Sequence, residues 1–286
     1  MDMTGRIAAL IGRTSSALPP DALKAIRRAA RREAKGSSAR MVFDTILANA
    51  TLAARNGTPM CQDTGTLTFF VDERLRGSVT PEVIGTAVEA ATERGWLRRN
   101  TIDAATGRSI DSNTCEGAPV IHYVRAARGR ALPYVTLLMK GGGSENMSRQ
   151  YSLPDAELGA GRDFEGVRRC VIDAALKAQG YGCAPGIIGV CIGGDRAGGY
   201  EEAKLQLLRR IDDSNPDPGL ARFERMLAEE VNSLGIGPMG LGGRTTVLGI
   251  KVGCRPRVPA SYFVTVAYLC WAARRRTIRF RAGGGR

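Results

Sequence analysis

The chain has 286 residues, of which 43% are apolar and 24% charged, and its net charge is +13 from 41 basic and 28 acidic side chains. This globular composition excludes an intrinsically disordered chain and a collagen-like fibre. The longest apolar run, residues 262–273, is shorter than the ~20 residues that span a bilayer, and residues 1–16 do not form a secretory signal, so we expect a cytoplasmic protein.

Six segments have the apolar spacing of helices. The first two are each followed by a glycine, Gly36 or Gly57, which favours a helix end. The third begins at Thr80-Pro81-Glu82, which combines an N-cap, a first-turn proline and an acid near the positive end of the helix dipole. The predicted helices cover about residues 20–35, 38–55, 80–94, 164–179, 200–211 and 219–234.

Short apolar runs between these helices predict strands, at residues 67–71, 120–124, 134–139, 187–192, 245–252 and 261–268. Helices and strands are mixed from the second quarter of the chain onward. We therefore predict an α/β fold, with a mixed sheet flanked by helices behind a helical N-terminal region. We expect residues 1–286 to form a single catalytic domain that ends in a basic tail from about residue 274.

Two basic clusters account for much of the positive charge. The last thirteen residues, from Arg274 to Arg286, carry six arginines and no acid. The other cluster lies in the first predicted helix, and aromatic residues are not interleaved with it as single-stranded nucleic acid binding would require. We interpret the clusters as a frayed tail and a solvated helix face, and a basic nucleic-acid-binding protein remains an alternative. The helix cluster comprises Lys24, Arg27, Arg28, Arg31, Arg32 and Lys35.

Three glycine-rich segments stand at the ends of predicted strands, at residues 139–146, 189–195 and 240–246. Such loops can offer several backbone N–H groups to an anion. None has the spacing of a P-loop, and none has the dinucleotide-binding glycine pattern after a strand. The loops therefore favour a small carboxylate or an inorganic centre over a nucleotide.

The seven cysteines contain no CxxC pair, which argues against a zinc ribbon or a thioredoxin-type site. Cys170 and Cys191 lie among apolar residues, and we expect them to be buried structural residues. Cys61 and Cys183 lie in predicted turns, where functional side chains are common. Sequence spacing alone does not decide whether they bind a group, and a cluster-carrying redox protein is a further alternative.

Four segments, taken together and in order, carry a resemblance: Met-Cys-Gln-Asp-Thr-Gly at 60–65, Lys-Gly-Gly-Gly-Ser-Glu-Asn at 140–146, residues 186–194, and Cys-Trp-Ala-Ala-Arg-Arg at 270–275. The chain resembles the class I iron–sulfur fumarase and tartrate dehydratase family. It is similar to the α-subunit, or N-terminal catalytic half, of these proteins, and the resemblance covers this chain from about residue 10 to 280. The resemblance implies a hydro-lyase that reversibly hydrates and dehydrates a C4 dicarboxylate, fumarate/malate or tartrate/oxaloacetate. It does not separate these substrates.

The resemblance implies a [4Fe–4S] cluster held by the thiolates of Cys61, Cys183 and Cys270. Its fourth iron would stay open and act as a Lewis acid on the substrate hydroxyl. Cys270 matches the third ligand through the residues that follow it, and Cys254 is the competing candidate.

The same resemblance assigns the substrate contacts. Gln62 and Asp63 match a substrate-contacting pair, in which Asp63 would exchange a proton with the hydroxyl. Arg98 matches an arginine that holds a carboxylate with its fork of N–H donors. Gly142 and Gly143 would offer backbone N–H groups. The alternatives are a turn-forming aspartate before Gly65, a surface arginine and a plain glycine turn.

The resemblance also implies a partner. In single-chain members of the family a second domain supplies further basic residues and the base that acts at carbon. We therefore expect a separate β-subunit that completes the active site, in a hetero-oligomer with neither nucleic acid nor membrane as a partner. The family often has a histidine before a Pro-Ala-Ser turn, and residues 255–261 contain none, which affects the expected substrate contacts there.

Overall fold

The computed structural model describes residues 2–125 and 132–280. In these residues the chain forms helices and strands in the order α1 (Met3–Ser16), α2 (Pro20–Arg32), α3 (Ser38–Asn56), β1 (Thr66–Asp72), α4 (Pro81–Glu93), β2 (Val120–Val124), β3 (Tyr134–Lys140), α5 (Gly142–Asn146), β4 (Arg149–Ser152), α6 (Phe164–Ala178), β5 (Gly186–Gly193), α7 (Arg196–Leu207), α8 (Pro218–Ser233), β6 (Val247–Arg255), β7 (Phe263–Leu269) and β8 (Arg275–Arg279).

These elements belong to two compact units. Within the described residues, the first unit comprises 2–19, 49–125, 132–142 and 274–280, and the second comprises 20–48 and 143–273. Each unit is built around one four-stranded sheet. That residues 1–286 act as a single catalytic domain stays a prediction.

The sheet of the first unit has the strand order β2-β1-β3-β8. Strand β1 pairs in parallel with β2 and antiparallel with β3, and β3 pairs antiparallel with β8. Six of the seven residues of β1 are buried, as is typical of a strand covered on both faces. Helices α1 and α4 contribute to the core of this unit with Ile7, Leu10, Ile11, Ile84, Ala87, Val88 and Ala91.

Helix α1 was not predicted from the sequence. The Asp2 side chain caps it by accepting a hydrogen bond from the Gly5 N–H at 2.7 Å. Ile7, Leu10 and Ile11, spaced three and four residues apart, are fully buried. The helical spacing of this apolar stretch is the property that the fold uses.

The sheet of the second unit has the order β4-β7-β5-β6, with β5 parallel to β6 and antiparallel to β7. Ile188 and Val190 of β5 pack in one core with residues of α6 and α8. Gly189 between them points to the other face, where α7 packs so closely that a Cβ would lie 2.1 Å from the Ala203 carbonyl oxygen. The glycine therefore allows a helix to cover each face of this sheet.

The predicted fold class is confirmed, because mixed sheets are flanked by helices behind a helical N-terminal region. The predicted basic tail is wrong as far as Arg279, since β8 pairs with β3 along residues 275–279. Phe280, which is 4% exposed, anchors this segment in the core of the first unit. Residues 281–286 of the predicted tail lie outside the described residues.

The basic cluster of α2 is a solvated helix face, as expected. Lys24, Arg27, Arg28, Arg31 and Arg32 are all exposed. The opposite face is buried through Ala22, Ala25, Ile26, Ala29 and Ala30. No described helix combines the length and the apolar character needed to cross a bilayer.

Candidate active site

Cys61, Gln62 and Asp63 lie in the turn that joins α3 to β1 in the first unit. The residue before them, Met60, is held at both backbone groups. Its N–H donates to the Ser15 carbonyl at 3.0 Å, and its carbonyl accepts from the Asn49 side chain at 2.9 Å. Cys61, which is half-buried, therefore directly follows a residue whose backbone is held by two hydrogen bonds.

The Asp63 carboxylate accepts two backbone hydrogen bonds. Its Oδ1 accepts from the Gly65 N–H and its Oδ2 from the Gly142 N–H, each at 2.8 Å. The first bond confirms the turn-forming role that the Asp-Thr-Gly sequence indicates. The second ties the turn to the loop after β3, so the Gly142 N–H that was predicted to face the substrate is engaged by Asp63 here. Gly143 belongs to the second unit.

Two glycines make this approach of loop and turn possible. Gly65 has a φ of +71°, and a Cβ there would lie 2.4 Å from the Lys140 carbonyl oxygen. A Cβ at Gly141 would lie 2.6 Å from Asp63 Oδ2. Any side chain at either position would separate the two segments, so the glycines of the family-like motifs serve close backbone contact.

Arg98 is brought to the same turn by Thr64. The buried Thr64 hydroxyl donates to the Arg98 carbonyl at 3.0 Å and accepts from the Arg98 N–H at 2.9 Å. The Arg98 guanidinium donates to the Gln62 carbonyl at 3.4 Å. Arg99, by contrast, lies 3.9 Å from Asp111 at the surface. The structure thus brings Gln62, Asp63 and Arg98 together and identifies Arg98, rather than Arg99, as the arginine at the turn.

We expect Thr64→Val to destabilise the protein by about 1–3 kcal/mol, because the backbone N–H and carbonyl of Arg98 lose their partner. Chemical denaturation would measure this loss. Thr64→Ser keeps the hydroxyl and is expected to have nearly unchanged stability. Equal stability of the valine and serine variants would contradict the role given to the Thr64 hydroxyl.

A cavity of about 320 Å³ lies next to this turn, entirely within the first unit. Its volume is at the lower end of the range of small-molecule sites. Asp63 and Gly142 line it together with residues that were not predicted as site residues, notably Asn100, Thr101 and Asn113. The buried Asn113 side chain is oriented by donating to the Thr92 hydroxyl at 3.0 Å. The one available signal was the small polar run at 111–114, which indicates a loop but not its place in the fold.

Arg274 places a buried positive charge beside Asp63. It is 2% exposed, and its Nε has no hydrogen-bond partner among the described residues. One terminal nitrogen lies 3.6 Å from the point that a Cβ of Gly141 would occupy, and Asp63 Oδ2 lies 2.6 Å from that point. Because a buried cation is costly unless an anion is close, this placement favours negative charge near Gly141.

Cys183 and Cys270 lie in the second unit, at the same end of its sheet. Cys183 precedes β5 and Cys270 follows β7, and these antiparallel strands pair Ile187 with Leu269. The Trp271 N–H donates to the Cys183 carbonyl at 3.2 Å, which ties the two turns together. Cys183 is exposed and has a φ of +55°, a strained conformation that is rare outside glycine and often found at functional sites.

Cys254, the competing third ligand, lies at the other end of the sheet. It pairs with Ile192 in β5, five residues beyond Ile187. At about 3.3 Å per residue this separates it from the Cys183 end by roughly 17 Å. The strand register therefore favours Cys270 over Cys254 as the companion of Cys183.

That Cys61, Cys183 and Cys270 together bind a cluster stays a prediction. Cys61 belongs to the first unit, whereas Cys183 and Cys270 belong to the second. Within residues 2–125 and 132–280, no three His, Cys, Asp or Glu side chains form a ready metal-binding group. The three cysteines offer the thiolate chemistry that an iron–sulfur cluster needs.

Cys170 and Cys191 are structural, as predicted from their apolar neighbours. Both are fully buried, in α6 and β5. Burial raises the pKa of each thiol to about 12, which keeps it protonated near neutral pH. The full burial of both side chains fits this structural role.

Comparison with known proteins agrees with the motifs. The family model for fumarate hydratase (Fumerase) matches residues 4–279. A Geobacillus stearothermophilus protein named as a class I fumarate hydratase is 46% identical over 93% of this chain and 52% of its own length. A Methanocaldococcus jannaschii protein named as an L(+)-tartrate dehydratase subunit alpha is 31% identical over 92% of each chain. The subunit alpha of the Escherichia coli K12 L(+)-tartrate dehydratase is 28% identical over 98% of this chain and 91% of its own.

The matched lengths differ between the two kinds of relative. The chain spans about half of the Geobacillus protein but more than nine-tenths of each tartrate dehydratase subunit alpha. In length it therefore corresponds to the tartrate dehydratase subunits, whereas in identity it is nearer to the fumarate hydratase.

Proposed function

The chain belongs to the fumarate hydratase (Fumerase) family, and from that premise we propose that it is the α-type catalytic part of a hydro-lyase. The reaction is the reversible hydration and dehydration of a C4 dicarboxylate, fumarate/malate or tartrate/oxaloacetate. The observation that carries the proposal is the Asp63 carboxylate, which Gly65 and Gly142 fix at the wall of a cavity. Arg98 contacts the same turn. A fixed carboxylate close to a guanidinium suits a small hydroxy-diacid.

The side chains at the turn have different roles in the proposed reaction. The Arg98 guanidinium holds one substrate carboxylate with its parallel N–H donors. Asp63 receives or returns the proton of the substrate hydroxyl, and its two backbone hydrogen bonds fix the carboxylate for that transfer. Gln62 and the backbone of Gly143 contact the substrate, while the Gly142 N–H fixes Asp63. Arg274 adds a buried positive charge near Gly141 and Asp63.

We include a [4Fe–4S] cluster held by Cys61, Cys183 and Cys270 in the proposal. Support comes from the thiol chemistry of the three residues and from the hydrogen bond that ties the Cys183 and Cys270 turns. The strained backbone of Cys183 also suits a residue whose position is set by function. When bound, such a cluster supplies an open iron that polarises the hydroxyl as a Lewis acid.

The proposal includes a separate β-subunit. Two of the relatives above are named as alpha subunits, and this chain matches nearly their full length. Removal of a proton from carbon needs a base on the face of the substrate opposite the hydroxyl, and we assign that base to the β-subunit. Arg274 lies directly before β8 and Arg275 begins it, and they are 2% and 6% exposed, which argues against a nucleic-acid-binding arm there.

The assay that tests this proposal compares the chain alone with the chain and its cognate β-subunit. Both are purified under nitrogen, reconstituted with ferrous iron and sulfide, and assayed on fumarate, malate and tartrate. We expect turnover only in the presence of both polypeptides. Full turnover by the isolated chain would overturn the two-subunit proposal, and inactivity of the reconstituted complex on every C4 diacid would overturn the hydro-lyase proposal.

A further inference from the structure

Tyr268 of β7 carries a buried hydroxyl that the proposed reaction does not use. The side chain is 2% exposed and packs in the core of the second unit. None of the described residues forms a hydrogen bond with its Oη. A buried hydroxyl without a partner destabilises a fold, and native proteins seldom retain one without a reason.

The ring of Tyr268 lies against the turn that carries Cys183. A Cβ at Gly182 would lie 2.4 Å from ring atom Cε1, and a Cβ at Gly186 would lie 2.4 Å from Oη. These two glycines flank Cys183 in the sequence, and no larger residue could replace either of them beside the ring. The absence of side chains at both positions brings the hydroxyl to the Cys183 turn.

Cys270 is also close, two residues after Tyr268. Residues two apart in a strand point to the same face, and Cys270 directly follows β7, so its side chain is expected on the face of the sheet that carries the Tyr268 ring. A tyrosine hydroxyl is protonated near neutral pH, and beside the turns of two cysteines it is a hydrogen-bond donor whose natural acceptor is a negatively charged sulfur.

We propose that Tyr268 is a positioning residue for the cluster, whose Oη–H donates a hydrogen bond to the sulfur atoms at the Cys183 and Cys270 end of the site. The inference rests on the proposed function, because it needs a cluster at these cysteines. Hydrogen bonds to sulfur stabilise the more negative, reduced cluster and so raise its reduction potential. They also hold the ligands in place, as outer-shell partners do at other metal sites.

The test compares the full chain with its Tyr268→Phe variant, each reconstituted under nitrogen with ferrous iron and sulfide. Phenylalanine keeps the ring and removes the donor. We expect a more negative midpoint potential and loss of iron to a chelator about 10-fold faster. The cluster-free variant is expected to unfold at the same or a higher temperature than the unchanged chain, since the orphaned hydroxyl is gone. Tyr151→Phe is the matched control, because that hydroxyl donates to Asp173 at 2.8 Å in the same sheet.

A second substitution tests the direction of the effect. Site-specific 3-fluorotyrosine at position 268 keeps the hydroxyl and makes it a stronger donor, so the midpoint potential is expected to shift to a less negative value. If the unchanged chain binds the cluster and both substitutions leave its potential and chelator rate unchanged, the inference about Tyr268 fails while the proposed function stands. If the unchanged chain takes up no cluster, the cluster proposal and this inference fail together.

Discussion

Replacing Cys61, Cys183 or Cys270 by serine is expected to abolish cluster binding, whereas Cys254→Ser is expected to leave it intact. Thiolates are the preferred ligands of iron–sulfur clusters, and the serine hydroxyl is a poor substitute. The Cys254 prediction follows from strand register, which places that residue at the opposite end of the sheet from Cys183. Iron and sulfide content and visible absorbance of the reconstituted variants would measure the effect.

Cys115→Ala and Cys170→Ala are the controls for this series. Cys170 is fully buried in the core of the second unit, so we expect its replacement to leave cluster binding intact. Circular dichroism of each cluster-free variant separates loss of the ligand from loss of the fold. Retention of the cluster by Cys270→Ser together with its loss in Cys254→Ser would show that the third ligand has been assigned to the wrong cysteine.

Local signals were sufficient to predict most of the helices and strands. Helix α4 begins at Pro81 as expected, because the Thr80 hydroxyl accepts a hydrogen bond from the Val83 N–H. Strand β5 was recognised because its continuous apolar run is typical of a strand buried on both faces. In each case the determining interaction lies within a few residues of the element itself.

Strand β8 could not be predicted in the same way. Its sequence, Arg-Arg-Thr-Ile-Arg, has the composition of a solvated tail. It becomes a strand because β3 offers an edge to it and because Ile278 and Phe280 join the core of the first unit. These contacts reach back more than a hundred residues along the chain. The residues around Arg274 therefore indicated an exposed tail, whereas Arg274 is buried.

The candidate site likewise contains residues that local motifs predicted and residues that they did not. The motifs at 60–65 and 140–146 predicted candidate site residues, and the structure brings Asp63 and Gly142 together through a hydrogen bond. The role of Thr64 in holding Arg98 was not visible, because it depends on a pairing 34 residues apart. Asn100 and Asn113 line the cavity without any motif of their own. Tertiary packing, not local sequence, brings them to the site.

Asp63→Asn is expected to lower turnover of the complete enzyme by about 10²–10⁴-fold, the usual range for loss of general acid–base assistance. Asparagine has nearly the same size, so the cluster and the fold are expected to remain. The amide nitrogen cannot take up the hydroxyl proton as a carboxylate does. Steady-state kinetics of the two-subunit complex, with iron content measured on the same sample, would give the change per cluster.

Asp63→Asn is also expected to lower the stability of the protein. The single oxygen of an asparagine amide can occupy only one of the two carboxylate positions that the Gly65 and Gly142 N–H groups contact. One N–H therefore loses its acceptor, at a cost to stability of about 1–3 kcal/mol. Asp163→Asn is the matched control, since Asp163 accepts one backbone N–H, from Gly166, in the second unit. That variant removes the same charge and is expected to leave turnover nearly unchanged.

Stability and turnover together decide the role of Asp63. If the carboxylate only builds the turn, Asp63→Asn lowers stability while turnover per cluster stays near that of the unchanged enzyme. If it also handles the proton of the hydroxyl, turnover falls by orders of magnitude that a loss of 1–3 kcal/mol in global stability does not produce in a protein that remains folded. Near-normal turnover of Asp63→Asn would therefore reduce Asp63 to the residue that holds Gly65 and Gly142, and the proton would have to be assigned to another group lining the cavity.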